Sequence, residues 1–199
     1  MNAPPDLILL CTPASPFARK VRAMALLRGV SIDLRITPVD PLTTNADVAE
    51  FNPLGRLPVL LTPDGALYDS RVITRYLEEA GATMAGPCWQ QLVAEAIADG
   101  IMEFALAMRI ELAARPAALR WHELTQARFE RISATLDKVQ TLIGDLEGLN
   151  IGSVSLTVAL EYLDLRHPDY DWRTSRPALA GWLEAIAEAK PLRATRPPD

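Results

Sequence analysis

The stretch LPVLLTPDGALYDS, residues 57–70, contains two short apolar runs that are separated by the turn residues Pro63–Gly65. A glycine at the end of such a turn supplies the backbone angles that a hairpin needs. The stretch therefore predicts two short antiparallel strands. Asp69 or Ser70 can then cap a helix, because apolar residues recur at helical spacing up to Glu79: Val72, Ile73, Tyr76 and Leu77.

The residues before this hairpin alternate between strand and helix patterns. Leu7–Cys11 is a short apolar run typical of a buried strand, and a helical pattern follows it over Pro16–Arg28 and stops at Gly29. SIDLRIT, residues 31–37, alternates apolar and polar residues and predicts a half-buried strand, and residues 45–51 indicate a short helix. The resulting order, β-α-β-α-β-β-α, is typical of the thioredoxin-like fold, in which helices cover both faces of a central sheet.

The second half of the chain has only helical patterns. AGATMAGPC, residues 80–88, has two glycines and a proline without periodicity, which indicates a linker. Two long amphipathic stripes follow, at residues 89–115 and 129–143, and two shorter ones at 154–165 and 177–190. We therefore predict an α/β thioredoxin-like domain over residues 1–80, a linker over 81–88 and an all-α domain over 89–199.

The bulk composition narrows the classes of function. The 199 residues carry a formal net charge of −5, which argues against nucleic-acid binding, because that affinity comes from clustered Lys and Arg. The two histidines, His122 and His167, show no partner pattern, so we expect no metal site. Cys11 and Cys88 form no CxxC pair, and Leu7–Cys11 is too short for a signal peptide or a membrane span. We expect a cytoplasmic protein with no membrane partner.

Two features of the first domain have alternative interpretations. The basic residues Arg19, Lys20 and Arg22 are interpreted first as a solvated helix face, and second as a group that steers anions. Cys11, at the end of the first strand, is interpreted as a small buried apolar residue rather than as a second nucleophile.

Three points of the first domain could carry chemistry. Ser15 stands at a helix start, which stabilises an anion such as a thiolate; a plain helix cap is the alternative. Pro58 stands where a strand begins, so a cis bond would turn the backbone of Leu57 toward an extended peptide; an ordinary edge-strand proline is the alternative. Asp69 and Ser70 offer a carboxylate, a hydroxyl and N–H donors to an α-amino acid head group, or they only cap a helix.

Several of these motifs together resemble one known family. The motifs are SPFARKVR at residues 15–22, NPLGRLPVL at 52–60 and YDSRVITRYLEE at 68–79, and a helical second half follows them. This combination resembles the cytosolic glutathione transferases over nearly the whole chain. The ending, residues 161–198, is similar to that of a bacterial subgroup of the family.

The resemblance implies roles for Ser15 and for four further residues of the first domain. Ser15 falls where the serine-type enzymes place the hydroxyl that stabilises the glutathione thiolate, and Phe17 would flank that site. Leu57, held before Pro58, would pair its backbone with the cysteinyl part of glutathione. Arg56 could attract the glycyl carboxylate.

Further roles are implied at the γ-glutamyl end of glutathione. Asp69 and Ser70 match the Glu-Ser pair of the family, with a side chain one methylene shorter. Asp99 occupies a position from which family members lend an acid across a dimer interface, or it is a solvated helix residue. The family usually caps a later helix with Ser or Thr and an Asp three residues later; here Leu156 stands three residues after Ser153, so half of that capping box is expected to be missing.

We therefore predict a glutathione S-transferase that activates glutathione as a thiolate for attack on a hydrophobic electrophile. Glutathione is a co-substrate, no cofactor is expected, and the protein is expected to be a homodimer. The electrophile pocket could be lined by Met102, Leu106 and Met108, which could equally be core. The alternative is a non-catalytic protein that binds hydrophobic ligands or a protein partner; thiol-disulfide exchange is disfavoured, because Ser15 cannot form a mixed disulfide.

Overall fold

The computed structural model describes residues 7–40, 42–43, 45–81 and 87–197. Two compact units make up the chain, Met1–Gly86 together with Lys190–Asp199, and Pro87–Ala189. Most of the proposed linker, residues 82–86, lies outside the described residues. The final residues, which we assigned to the helical domain, group with the first unit. None of the helices in the described ranges has the length and apolar character that crossing a membrane requires.

The first unit contains a four-stranded mixed sheet. Its strands are β1 (Ile8–Cys11), β2 (Asp33–Ile36), β3 (Val59–Thr62) and β4 (Gly65–Leu67), in the spatial order β2-β1-β3-β4. β2 is parallel to β1, whereas β3 runs antiparallel to both β1 and β4, so the predicted hairpin is confirmed. Three helices lie between these strands or after them, α1 (Pro16–Arg28), α2 (Ala46–Ala49) and α3 (Ser70–Ala80), and the end of the chain adds the short helix Lys190–Arg193 to this unit.

Side chains of the central strands are buried on both faces of this sheet. Leu10 and Val59 stand opposite each other and pack with Val48 of α2. Because successive residues of a strand point to opposite faces, Leu9 and Leu60 face the other side, where both are fully buried. This arrangement confirms the thioredoxin-like fold class.

β2 differs from its prediction. All four of its residues are exposed, including Leu34 at 47% and Ile36 at 57%, so the prediction of a half-buried strand is wrong. β2 is an edge strand, paired only with β1. Alternation predicts which side chains share a face of the sheet, but not whether a helix covers that face.

The solvated-face interpretation of the basic residues on α1 is wrong for Arg19 and Lys20, whereas Arg22 is half-buried. Lys20 is 0% exposed and Arg19 is 4% exposed. Arg19 Nη2 donates to the carbonyl oxygen of Leu192 at 3.3 Å, and Leu192 lies in a short helix near the end of the chain, Lys190–Arg193. This helix packs against α1 within the first unit, a contact between residues about 170 positions apart that no local pattern reveals.

The second unit consists of helices. They are α4 (Trp89–Ala113), α5 (His122–Leu142), α6 (Ile151–Arg166) and α7 (Pro177–Ala187), with short 3-10 turns at Ala117–Leu119 and Ile143–Asp145. α6 packs along α4, and a Cβ atom at Gly152 would lie 2.9 Å from the carbonyl oxygen of Gln91. Met102 and Met108 are fully buried and Leu106 is half-buried. These findings confirm the predicted all-α domain.

The start of α6 corrects the expected capping defect. Asn150 caps this helix, and its Oδ1 accepts a hydrogen bond from the Ser153 N–H at 3.0 Å. Ser153 Oγ in turn accepts from the Asn150 N–H at 3.0 Å, which completes a reciprocal capping box. The capping box is complete because Asn150 is the N-cap residue and Ser153 occupies the third helical position.

Candidate functional site

Ser15 is the N-cap of α1. The Ala18 N–H donates to Ser15 Oγ at 3.2 Å, and the Ser15 N–H donates to the carbonyl oxygen of Thr12 at 3.2 Å. The side chain is half-buried, and no described residue accepts a hydrogen bond from its hydroxyl. A hydroxyl accepts and donates at once, so the capping bond leaves the O–H free to donate to an anion at the helix start.

Leu57 and Pro58 lie immediately before β3. The bond between them is cis, and Pro58 is buried. The Leu57 side chain packs against the core cluster of Leu10, Val48 and Val59. Within the described ranges, the Leu57 N–H and C=O make no hydrogen bond. The residue is half-buried. Such unpaired backbone groups are what an extended peptide pairs with.

Arg56 is exposed, but its carbonyl is held by a residue that sequence reasoning missed. Asn52 Nδ2 donates to the Arg56 carbonyl oxygen at 2.7 Å, and Asn52 Oδ1 accepts from the Leu54 N–H at 3.0 Å. Asn52 is only 2% exposed. The signal was an Asn-Pro pair followed by Gly55, whose φ of 63° is left-handed, and this combination is typical of a loop built on side-chain hydrogen bonds.

Asp69 and Ser70 form the start of α3. Asp69 is the N-cap, and its Oδ1 accepts from the Arg71 N–H at 2.9 Å. The Asp69 side chain is exposed, and among the described residues nothing donates to its second carboxylate oxygen. Ser70 is the first residue of the helix and is 4% exposed. The Tyr68–Asp69 peptide bond is cis.

The register of the sheet brings these segments to one edge of it. Leu10 stands opposite Val59, so the end of β1, which leads to Ser15, lies beside the start of β3. Leu67 stands opposite Leu60, so the end of β4, which leads to α3, lies beside the same point. Hydroxyl, backbone and carboxylate groups therefore converge where β1 and β4 end and β3 begins.

The remaining candidates, Cys11, Phe17 and Asp99, differ in exposure. Cys11 is fully buried; burial raises the pKa of its thiol, and the Arg22 guanidinium opposes that rise only in part. Phe17 lies two residues after Ser15 and is half-buried. Asp99 is 3% exposed and belongs to α4 of the second unit, so it is not a solvated helix residue. Among the described residues, no cluster of three His, Cys, Asp or Glu side chains could hold a metal ion.

Comparisons with known proteins agree with this architecture. Residues 14–80 match the family model "Glutathione S-transferase, N-terminal domain", and residues 94–185 match "Glutathione S-transferase, C-terminal domain". An Escherichia coli (strain K12) protein named "Uncharacterized GST-like protein YibF" is 32% identical over 197 residues, which cover 92% of this chain and 95% of YibF.

Solved structures from Pseudomonas fluorescens Pf-5 are similar along their whole length. A glutathione transferase family member with bound glutathione is 34% identical, with a TM-score of 0.93 over 98% of this chain and 100% of that one. A second structure of the same Pseudomonas fluorescens protein, with bound S-(propanoic acid)-glutathione, is 33% identical, with a TM-score of 0.88 over 97% of this chain and 100% of that one. Both domain models and these relatives together show that the chain belongs to the glutathione S-transferase family.

Proposed function

We propose that this protein is a glutathione S-transferase that binds glutathione at the edge of its sheet and activates the thiol for attack on a hydrophobic electrophile. The observation that carries the proposal is the convergence of Ser15, the unpaired backbone of Leu57 and the exposed carboxylate of Asp69 at one edge. Relatives of known structure that hold glutathione or an S-substituted glutathione support the same ligand.

Glutathione is a tripeptide with an extended backbone, and each part would meet a matching group. Its cysteinyl part would pair with the Leu57 N–H and C=O like an added strand. Its γ-glutamyl ammonium would meet the Asp69 carboxylate, and the neighbouring carboxylate would meet Ser70 and the N–H groups at the start of α3. Arg56 would attract the glycyl carboxylate, and Phe17 would flank the thiol.

Ser15 would stabilise the thiolate by donating its free O–H to the sulfur. A free thiol has a pKa near 8.5, and lowering it by about 2 requires about 2.7 kcal/mol. A hydrogen bond to a charged group supplies about 1.5–3 kcal/mol, and a helix start adds about 0.3–1 kcal/mol. The thiol proton leaves to solvent, a sulfur lone pair forms the new bond to carbon, and the leaving group departs with the electrons of the broken bond.

Two measurements on the unmodified protein test this proposal. Titration calorimetry should detect glutathione binding, and turnover of a generic aryl halide at saturating glutathione should exceed the uncatalysed rate. Binding without turnover favours the non-catalytic alternative, in which the protein binds hydrophobic ligands or a protein partner. Absence of both at several millimolar glutathione contradicts the proposal.

Quaternary structure and location belong to the same proposal. We expect a homodimer, in which Asp99 of one chain assists the γ-glutamyl ammonium at its partner's site. We expect the protein to act in the cytoplasm with glutathione as co-substrate and with no cofactor or metal.

A further inference from the structure

Both polar atoms of the buried Asn52 side chain form hydrogen bonds within one loop. Its Nδ2 donates to the carbonyl oxygen of Arg56, and its Oδ1 accepts from the Leu54 N–H. Its own main chain is also fixed, because the Asn52 N–H donates to the Val48 carbonyl at 2.8 Å and its carbonyl accepts from the Gly55 N–H at 2.8 Å. Asn52 therefore connects α2 to the loop that leads into β3.

The hydrogen bond from Asn52 to the Arg56 carbonyl also fixes the orientation of the peptide group between Arg56 and Leu57. A peptide group is planar, and the Arg56 C=O belongs to the same peptide group as the Leu57 N–H. That peptide bond is not among the cis bonds of the described residues, so its C=O and N–H point in opposite directions. When Asn52 holds the oxygen at 2.7 Å, the Leu57 N–H is directed away from Asn52.

We propose that Asn52 is a positioning residue for glutathione, because it fixes the direction of the Leu57 N–H that receives the cysteinyl part. This inference rests on the proposed function and deepens it. In this role Asn52 acts through the Arg56–Leu57 peptide group, whose carbonyl oxygen it bonds.

The main chain of Asn52 is anchored to the core, so its side chain holds the Arg56–Leu57 peptide group in a fixed orientation. Val48, which accepts from the Asn52 N–H, is 0% exposed and packs against Leu10 and Val59. Among the described residues, Asn52 is the one that donates to the Arg56 carbonyl, and the neighbouring Leu54 side chain is 67% exposed and adds little packing. Without the Asn52 side chain, water can bond the Arg56 carbonyl in several orientations, and the Leu57 N–H loses its fixed direction.

The test compares two variants at this position. Asn52→Ala removes both side-chain bonds. Asn52→Asp keeps an acceptor for the Leu54 N–H but places a second acceptor against the Arg56 carbonyl, so it breaks only the bond that orients the peptide group. We expect the Kd for glutathione to rise about tenfold or more in both variants, which corresponds to about 1.4 kcal/mol.

Steady-state kinetics separate positioning from a general loss of structure. The KM for glutathione should rise with Kd, whereas kcat at saturating glutathione and the KM for the electrophile should stay within about twofold of the parent. Loss of folded protein would instead lower the apparent kcat and leave the Kd of the remaining folded fraction unchanged.

Asn150→Ala is the matched control. Asn150 is also a buried asparagine, 7% exposed, that accepts from and donates to backbone groups, but it caps α6 in the second unit. Asn150→Ala should lower the melting temperature and leave the Kd for glutathione unchanged. An equal rise of Kd in this control would overturn the inference, because destabilisation alone would then explain the result.

The outcomes distinguish this inference from the proposed function. If the parent protein does not bind glutathione, the proposed function is wrong and the inference falls with it. If the parent binds and Asn52→Asp binds within twofold of it, only the inference is wrong. A tenfold rise in Asn52→Asp with an unchanged Kd in Asn150→Ala supports both.

Discussion

Replacing Ser15 with alanine removes two interactions of one oxygen atom. Ser15 Oγ accepts the hydrogen bond from the Ala18 N–H at 3.2 Å, and its O–H is the proposed donor to the glutathione thiolate. The first interaction belongs to the free protein and contributes to its stability. The second exists only in the complex with glutathione and contributes to the acidity of the thiol, so the two effects are measured separately.

The two magnitudes follow from these contacts. Loss of an N-cap costs about 0.5–2 kcal/mol, which lowers the melting temperature of a chain of this size by a few degrees. Loss of one hydrogen bond to a thiolate costs about 1.5–3 kcal/mol, which raises the pKa of bound glutathione by about 1–2. The helix start remains in Ser15→Ala, so glutathione binding itself should change little.

The assay is the pH dependence of kcat/KM together with thiolate absorbance of the bound glutathione. Ser15→Thr keeps the hydroxyl and should retain part of the activity. Ser15→Cys places a thiol at the helix start, where its pKa falls, so this variant should lose conjugation and gain thiol transfer. If Ser15→Ala melts several degrees lower but conjugates electrophiles as fast as the parent, Ser15 is only a helix cap and the proposed chemistry is wrong.

Three further predictions concern ligand, pH and assembly. Glutathione should raise the melting temperature through binding to the folded state, and S-hexylglutathione should raise it further if an apolar pocket adjoins the thiol; no shift from either at several millimolar contradicts glutathione binding. The Trp121 N–H donates a hydrogen bond to Glu111 Oε1 at 2.9 Å. This bond, together with the Arg115 side chain, holds the pKa of the Glu111 carboxyl below its usual value of 4.5, and the opposing effect of burial is smaller. The carboxylate therefore stabilises the fold above the pKa of the unfolded chain, and this contribution disappears as pH falls through the lower folded pKa. Glu111→Gln should melt lower than the parent at pH 7, and the difference in melting temperature should narrow as the pH is lowered through the acidic range; a difference that does not change with pH would refute this prediction. Light scattering should find a dimer at tens of micromolar, and a monomer there would remove the proposal for Asp99.

Much of the fold was predictable because it follows from local patterns. The hairpin of β3 and β4 follows from Gly65 between two apolar runs, and α1 follows from Ser15 at its start and Gly29, with φ 69°, at its end. The helices of the second unit follow from apolar residues at helical spacing. Residue types that could bind the charged groups of a ligand were visible at Ser15, Asp69 and Ser70 for the same reason, since helix caps lie next to the helices that they begin.

The sequence by itself therefore determined the elements, their order and the family, whereas the tertiary structure decided which surfaces are covered and which groups meet. Leu34 and Ile36 are exposed because β2 lies at the edge of the sheet, and Arg19 is buried because a helix about 170 positions later packs on it. The Asn52 bond to Arg56 depends on how one loop closes. Periodicity and capping act over a few residues, but coverage and convergence depend on contacts between segments far apart in the chain, which no local pattern encodes.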